Sequence, residues 1–182
     1  MNKLRLIIFL VVALAQISVP ASMIWKRQRT LREGRLWKFR TAPVDPVDAM
    51  RGRYLVLRYE AENFPSAKPL PYRATVYLKL KEGADGFAVA DQADETPTEG
   101  DDVVKAENNS YSEKMAHVRF PFDRLWVTEA NAPAAEKAYA EHSRREKIDA
   151  YVTVRILAGD AAIEELYIAG QPLRDYLRAH PP

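Results

Sequence analysis

The chain has 182 residues, no cysteine and a formal net charge of +2. That length suffices for one domain with a real core, and the lack of cysteine excludes disulfides, thiolate metal sites and cysteine nucleophiles. The small net charge hides an asymmetry. Residues 1–40 carry nine Lys/Arg and one acid, Glu33, whereas residues 41–182 carry 18 basic and 24 acidic side chains, a net −6. Nucleic acid, which needs a concentrated basic face, is therefore not an expected partner.

Residues 6–25, LIIFLVVALAQISVPASMIW, are about one bilayer long if helical. Lys3 and Arg5 precede the stretch, KRQR follows it, and Trp25 stands at its lower edge, where an indole prefers the interface. Val19-Pro20-Ala21 resembles a signal-peptide cleavage site. The apolar run exceeds the usual signal core of roughly 7–15 residues, however, and helical character continues until Gly34 can cap it, so a retained anchor is the favoured reading. Gln16 and Pro20 lie inside the span; one Gln is tolerated there, and it can also bond a neighbouring membrane helix. The basic flank after the span argues by itself for a cytoplasmic domain. A short basic tail normally stays inside, though, and long domains translocate largely regardless of charge. The expected topology is a single pass through the cytoplasmic membrane with the main domain outside. Residues 1–34 form the anchor and juxtamembrane helix, whose cations can touch anionic lipid heads, and residues 35–182 form the soluble domain.

RLWKFR, 35–40, alternates as a short first strand, and TAPVDPVDAMRG is turn chemistry in which two prolines exclude a regular helix. YLVLRYE, 54–60, is a second strand with Leu55, Leu57 and Tyr59 on one face and Tyr54, Val56, Arg58 and Glu60 on the other. ENFPSAKPLPY reads as a Pro-rich loop, and residues 73–93 as a hairpin turning at Gly83 to Gly86, with Phe87 and Val89 opening the return strand. Residues 91–113 read as polar loops around a weak strand near Val103–Ala106. KMAHVRF and DRLWVTE are two more strands. Residues 131–147 predict the one soluble helix, capped by Asn131, with Pro133 in its first turn, an apolar stripe of Ala135, Ala138, Tyr139 and His142, and a Glu141–Arg145 pair. DAYVTVRIL and IEELYIAG close the chain as a hairpin around AGDA. The expected fold class is a mostly β domain, an antiparallel sandwich or partly open barrel of about eight short strands, with one short helix and one N-terminal transmembrane helix before it.

Candidate chemistry is sparse. Asp45 and Asp48 are paired carboxylates in a turn. Calcium takes six or more oxygens, and Asp before Pro starts turns, so the turn reading is preferred. Ser110, Ser112 and Lys114 offer a Ser–Lys pair without a nucleophile elbow or oxyanion hole around it. His117, His142 and His180 lie on separate elements without metal-ligand spacing, and no cofactor is expected. Arg124, Glu129 and Glu136, with Arg119, are opposed charges at a strand-to-helix junction; an ion-pair network is the default reading and a polar cleft the alternative.

GRYLVLRY, residues 52–59, resembles the Gly-Asp-Tyr-x-x-Leu-x-Tyr motif of the bacterial GDYXXLXY protein family: Gly52, Tyr54, Leu57 and Tyr59 match, and Arg53 stands where the motif has Asp. The preceding PVDPVDAMRG, with Asp45, Asp48 and Arg51, looks like the family's lead-in, and WVTEA, AAE and the closing hairpin follow in similar order. The resemblance implies a membrane-anchored protein, with polytopic membrane proteins often encoded beside it, and little specific biochemistry. Arg53 removes any carboxylate chemistry from that position. Two classes of function follow. One is a non-enzymatic accessory or binding module for a polytopic membrane protein, with Asp45, Asp48, Arg51, Gly52, Tyr54, Leu57, Tyr59, Arg124, Glu129 and Glu136 as candidate motif and surface residues. The other is an envelope hydrolase or transferase using Asp45, Asp48 or Glu129. Tyr54, which points away from Leu57 and Tyr59, is expected to fill a small second core under the turn.

Overall fold

The structure is a computed structural model that describes residues 3–43, 54–66, 68–98, 100–112, 114–144 and 147–180. Helix α1, Lys3–Glu33, runs unbroken through Pro20 for 31 residues. It contains an 18-residue window of mean hydropathy 2.3, none of it buried by the other described residues. The helix is therefore long and apolar enough to span a membrane, as single-pass anchoring requires. It ends where the Gly34 amide bonds the Thr30 carbonyl at 2.9 Å. A Cβ on Gly34 would stand 2.5 Å from that carbonyl oxygen and 2.9 Å from the Ile156 oxygen. Only glycine lets the helix end lie this close to the sheet.

Thirteen strands follow among the described residues. They are β1 Arg35–Arg40, β2 Tyr54–Val56, β3 Asn63–Pro65, β4 Thr75–Glu82, β5 Ala88–Asp94, β6 Val103–Asn108 and β7 Met115–Arg119, then β8 Arg124–Trp126, β9 Ser143–Arg144, β10 Lys147–Ile148, β11 Ala150–Leu157, β12 Asp160–Ile168 and β13 Gln171–Pro172. One antiparallel sheet has the order β1-β11-β12-β13 and a second the order β3-β7-β6-β4-β5. Their inner faces share one core. Trp37 and Phe39 face it from β1, Val76, Leu78 and Leu80 from β4, and Val152, Val154 and Ile156 from β11, on the alternating positions the sequence sets out. The sheets also approach each other at their margins. Arg40 of β1 bonds Asp85 at 2.7 Å and lies over the Phe87 ring. Gly159, in the β11–β12 turn, bridges to Val104 of β6. The result is a mostly β, nearly closed, barrel-like arrangement.

Several expectations shift in detail. The weak strand near Val103 is β6, the middle strand of the five-stranded sheet, with Val103, Val104, Ala106 and Asn108 all buried. The Pro-rich loop contains β3, an edge strand that buries Phe64 and ends on Pro65, a position where a missing N–H is tolerated. The return strand after the hairpin starts at Ala88, which is buried, so Val89 faces out.

Helix α2, Ala132–His142, buries the Ala135, Ala138, Tyr139 and His142 stripe. Asn131 sits at its start without a side-chain capping bond. The helix stops at His142 because the chain turns into β9–β10: the Ser143 hydroxyl bonds Thr41 at 3.0 Å, and the Asp149 amide donates to the His142 carbonyl. Arg145, the expected partner of Glu141, lies outside the described residues. A further helix, α3 Leu173–Ala179, covers the end of the four-stranded sheet with Leu173 buried. His180, just past the end of α3, stacks on Tyr176 at 4.4 Å.

Candidate functional site

Residues of the YLVLRY segment go to two different places. Strand β2 pairs with β8 so that Tyr54 opposes Trp126, Leu55 opposes Leu125 and Val56 opposes Arg124. Leu55, Leu57 and Tyr59 are fully buried. The Leu57 amide donates to the Asp123 carbonyl at 2.8 Å, which holds the segment against the chain before β8. Tyr59 packs edge-on against Phe39 and Phe120 and tilted against Phe122, and its hydroxyl donates to the Phe122 carbonyl at 2.8 Å. Burial, then the neighbouring Tyr139, raises its phenol well above the ordinary tyrosine range, so it stays a neutral donor.

Tyr54 takes the opposite face. Its ring meets Trp126 edge-on at 5.3 Å, and the Arg124 guanidinium lies 5.1 Å from its centroid. Trp126 is 68% exposed and Tyr54 half-buried in an aromatic and cationic cluster at the β2–β8 pair; the turn under which Tyr54 is expected to fill a small second core lies outside the described residues. A cation over a tyrosine face and an edge-to-face aromatic pair are both favourable without full burial.

Beneath the motif lies a buried polar group. Glu62, in the one-turn 3₁₀ segment Glu60–Glu62, is 1% exposed. Its Oε2 accepts a long 3.4 Å bond from the Tyr59 amide, and its Oε1 has no hydrogen-bond partner among the described residues. Burial raises its pKa to about 7, against the opposing pull of the Tyr59 amide, Arg58 and the Phe120 amide. Tyr139 of α2 accepts from the Arg58 amide at 3.2 Å, and its own pKa is pushed up to about 12 by burial.

Arg124 stands between two surface grooves. One, of about 330 Å³, is lined by Lys105, Glu107, Arg119 and Asp123 among others. The other, of about 400 Å³, lies between β8 and the juxtamembrane turn of α1 and is lined by Arg27, Asp123, Arg124, Trp126 and Ala161 to Ile163. Glu129, exposed in the 3₁₀ turn Glu129–Asn131, and Glu136, half-buried on α2, line neither. Asp45, Asp48, Arg51 and Gly52 lie outside the described residues.

The remaining candidates have local structural partners. The Ser110 hydroxyl donates to the Met115 carbonyl, and the Ser112 hydroxyl accepts from the Lys114 and Met115 amides, which makes the segment a hydroxyl-stabilised turn. His117 meets Asn63 at 2.8 Å; burial and then the charges of Arg58 and Arg119 lower its pKa. His142 is held between Asp149 at 2.6 Å and Tyr176 at 3.1 Å. Among the described residues no three His, Asp or Glu side chains cluster as metal ligands.

Trp126, Arg27 and Glu62 are the residues the sequence reading did not single out. Trp126 had a signal: in a strand where Leu125 faces in, Arg124 and Trp126 face out together. Glu62 had none, since an acid in a Pro-rich stretch reads as solvated.

No curated protein and no solved structure matches the chain. The family model described as GDYXXLXY protein matches residues 16–166, from the middle of the span into β12. The match takes in the second half of α1, the motif strand, the five-stranded sheet and the four-stranded sheet as far as Leu166 of β12, and the chain belongs to the GDYXXLXY family.

Proposed function

We propose that the protein is a non-enzymatic accessory module whose β domain lies outside the cytoplasmic membrane and binds a polytopic membrane protein. The observation that carries this reading is the join between anchor and domain. Thr30 is buried at the end of α1, Gly34 lies against Ile156, Lys26 pairs with Asp160 at 2.9 Å, and Arg155 donates to the Gly34 carbonyl at 3.2 Å. A helix joined to its domain this closely sets the domain's height and bearing over the membrane. Span and domain then act together on one partner, and the second contact benefits from a high effective concentration. Among the described residues nothing buries the span's apolar window, and Gln16 lies exposed within it.

The test is co-purification of the tagged full chain from native membranes in mild detergent, after photocrosslinking from a probe at Tyr54 or Gln16. A polytopic membrane protein crosslinked at both positions is expected. Recovery of the chain alone from both probes would refute the reading. Because the chain has no native cysteine, Lys137→Cys on the exposed face of α2 reports topology in the same membranes through an impermeant maleimide. Labelling in intact spheroplasts places the domain outside, and labelling only after lysis places it inside.

A further inference from the structure

The groove between α1 and β8 has the depth, charge and rim of a lipid headgroup site. Its depth follows from the helix. Trp25 is 66% exposed at the end of the apolar run, and Arg27 is two residues on, about 3 Å further along a helix that rises 1.5 Å per residue. The groove therefore opens at the level of the phosphates. Its charge comes from two walls. Arg27 enters from α1 and Arg124 from β8, with Asp123 3.7 Å from the Arg124 guanidinium. Among the described residues no carboxylate pairs with Arg27, so the groove holds one uncompensated cation. Two guanidinium groups on opposite walls suit a phosphate, which accepts paired N–H donors in a fork. The rim is Trp126, an exposed indole of the kind that settles in the headgroup layer, and Ala161 to Ile163 give the floor an apolar side.

The other candidates fall short of this. The groove between α2 and α3 has nothing to say what covers it. The stacked Tyr72 and Tyr111 pair is exposed without a matching chemistry beside it. Glu62 is 1% exposed and lines none of the grooves described above.

We propose that the groove binds the phosphate of an anionic phospholipid, clasped between Arg27 and Arg124 with Trp126 in the headgroup layer. The site is more than the diffuse attraction of a basic collar, because one of its two cations belongs to the acidic β domain. It does not depend on the identity of a protein partner, and its test is separate from co-purification.

The test uses the full chain in detergent micelles doped equally with phosphatidylglycerol and phosphatidylcholine, with retained lipids counted by native mass spectrometry. The wild-type chain is expected to keep phosphatidylglycerol in preference. Arg27→Gln and Arg124→Gln each lower that preference roughly fivefold, the worth of one cation at an anionic surface. Arg32→Gln, an exposed cation of the same helix outside the groove, changes it less than about twofold. Unfolding midpoints of the variants confirm that they are folded, and Arg124→Lys restores part of the loss. Equal losses from Arg32 and Arg27 would reduce the effect to collar electrostatics and overturn the proposal. Unchanged retention in Arg124→Gln would do the same, and so would full displacement of the lipid by inorganic phosphate, which would make the groove a soluble-anion site.

Discussion

Two aromatic clusters grow from one short segment and end differently. The inner one joins Tyr59 to Phe39, Phe120 and Phe122, none more than 4% exposed, with ring centroids 4.9–5.8 Å apart. The outer one joins Tyr54 to Trp126 and Arg124, with Trp126 68% exposed. The two tyrosines are an odd number of positions apart, and along extended chain odd spacing means opposite faces. Parity alone sends one ring into the core and the other to the surface. The family motif is therefore two things in one stretch. Its Leu57 and Tyr59 hold the sheets together, and its Tyr54 faces the same side of the domain as the groove beside the membrane helix.

The sharpest way to break the comparison is to treat both tyrosines alike. Tyr59→Ala opens a cavity among three phenylalanines and is expected to cost about 3–5 kcal/mol, as large aromatic truncations in cores do. Tyr59→Phe keeps the packing, leaves the Phe122 carbonyl without its donor and costs about 1–2 kcal/mol. Urea unfolding of the domain in the detergent-solubilised full chain measures both. A Tyr59→Ala midpoint equal to wild type would mean that the inner cluster is no more structural than the outer.

The next effect has a pH signature. The folded-state pKa of Glu62 is about 7 against an ordinary 4.5. The protonated acid is the form the core tolerates, so its stability is fully present below pH 4.5. It declines as the pH rises towards 7, and above that the loss is complete and constant, at most about 3 kcal/mol for a shift of this size. Glu62→Gln removes the dependence. The variant is expected to match wild type near about pH 4 and exceed it by up to about 3 kcal/mol near about pH 8. Parallel stability curves for the two proteins across that range would show that Glu62 ionises freely in the folded state.

How much of this was legible in the sequence follows from where the information is local. Strand alternation was readable in RLWKFR, TVYLKL and AYVTVRI because each strand is buried on one face, and there Trp37, Val76 and Val152 fall where period two puts them. Strand β6 was legible only as weak, because its burial comes from neighbours β4 and β7 and its own sequence, VVKAEN, carries two charges on the outward positions. The end of α2 was not legible at all: SRREK has good helix formers, and the stop comes from Thr41, far away in sequence, taking the Ser143 hydroxyl. The candidate site divides the same way. That Tyr54 faces away from Leu57 could be read from parity; that it meets Trp126 and Arg124 needed the β2–β8 pairing, 72 positions apart along the chain.

The smallest effect separates the clusters most finely. A Tyr54→Ala and Trp126→Ala double-mutant cycle measures the coupling of the outer pair alone. The rings meet edge-on at 5.3 Å with one of them largely in water, so each single change is expected to cost less than about 1 kcal/mol, with a coupling of about 0.5–1 kcal/mol. Both tyrosines belong to the same motif, so a coupling of about 2 kcal/mol or more would place the outer pair with the inner one as a fold determinant. A coupling within the expected range leaves an exposed tryptophan and its tyrosine partner that stability does not account for. A weak coupling is also what the lipid or protein contact proposed above requires, since its interactions would be made outside the chain.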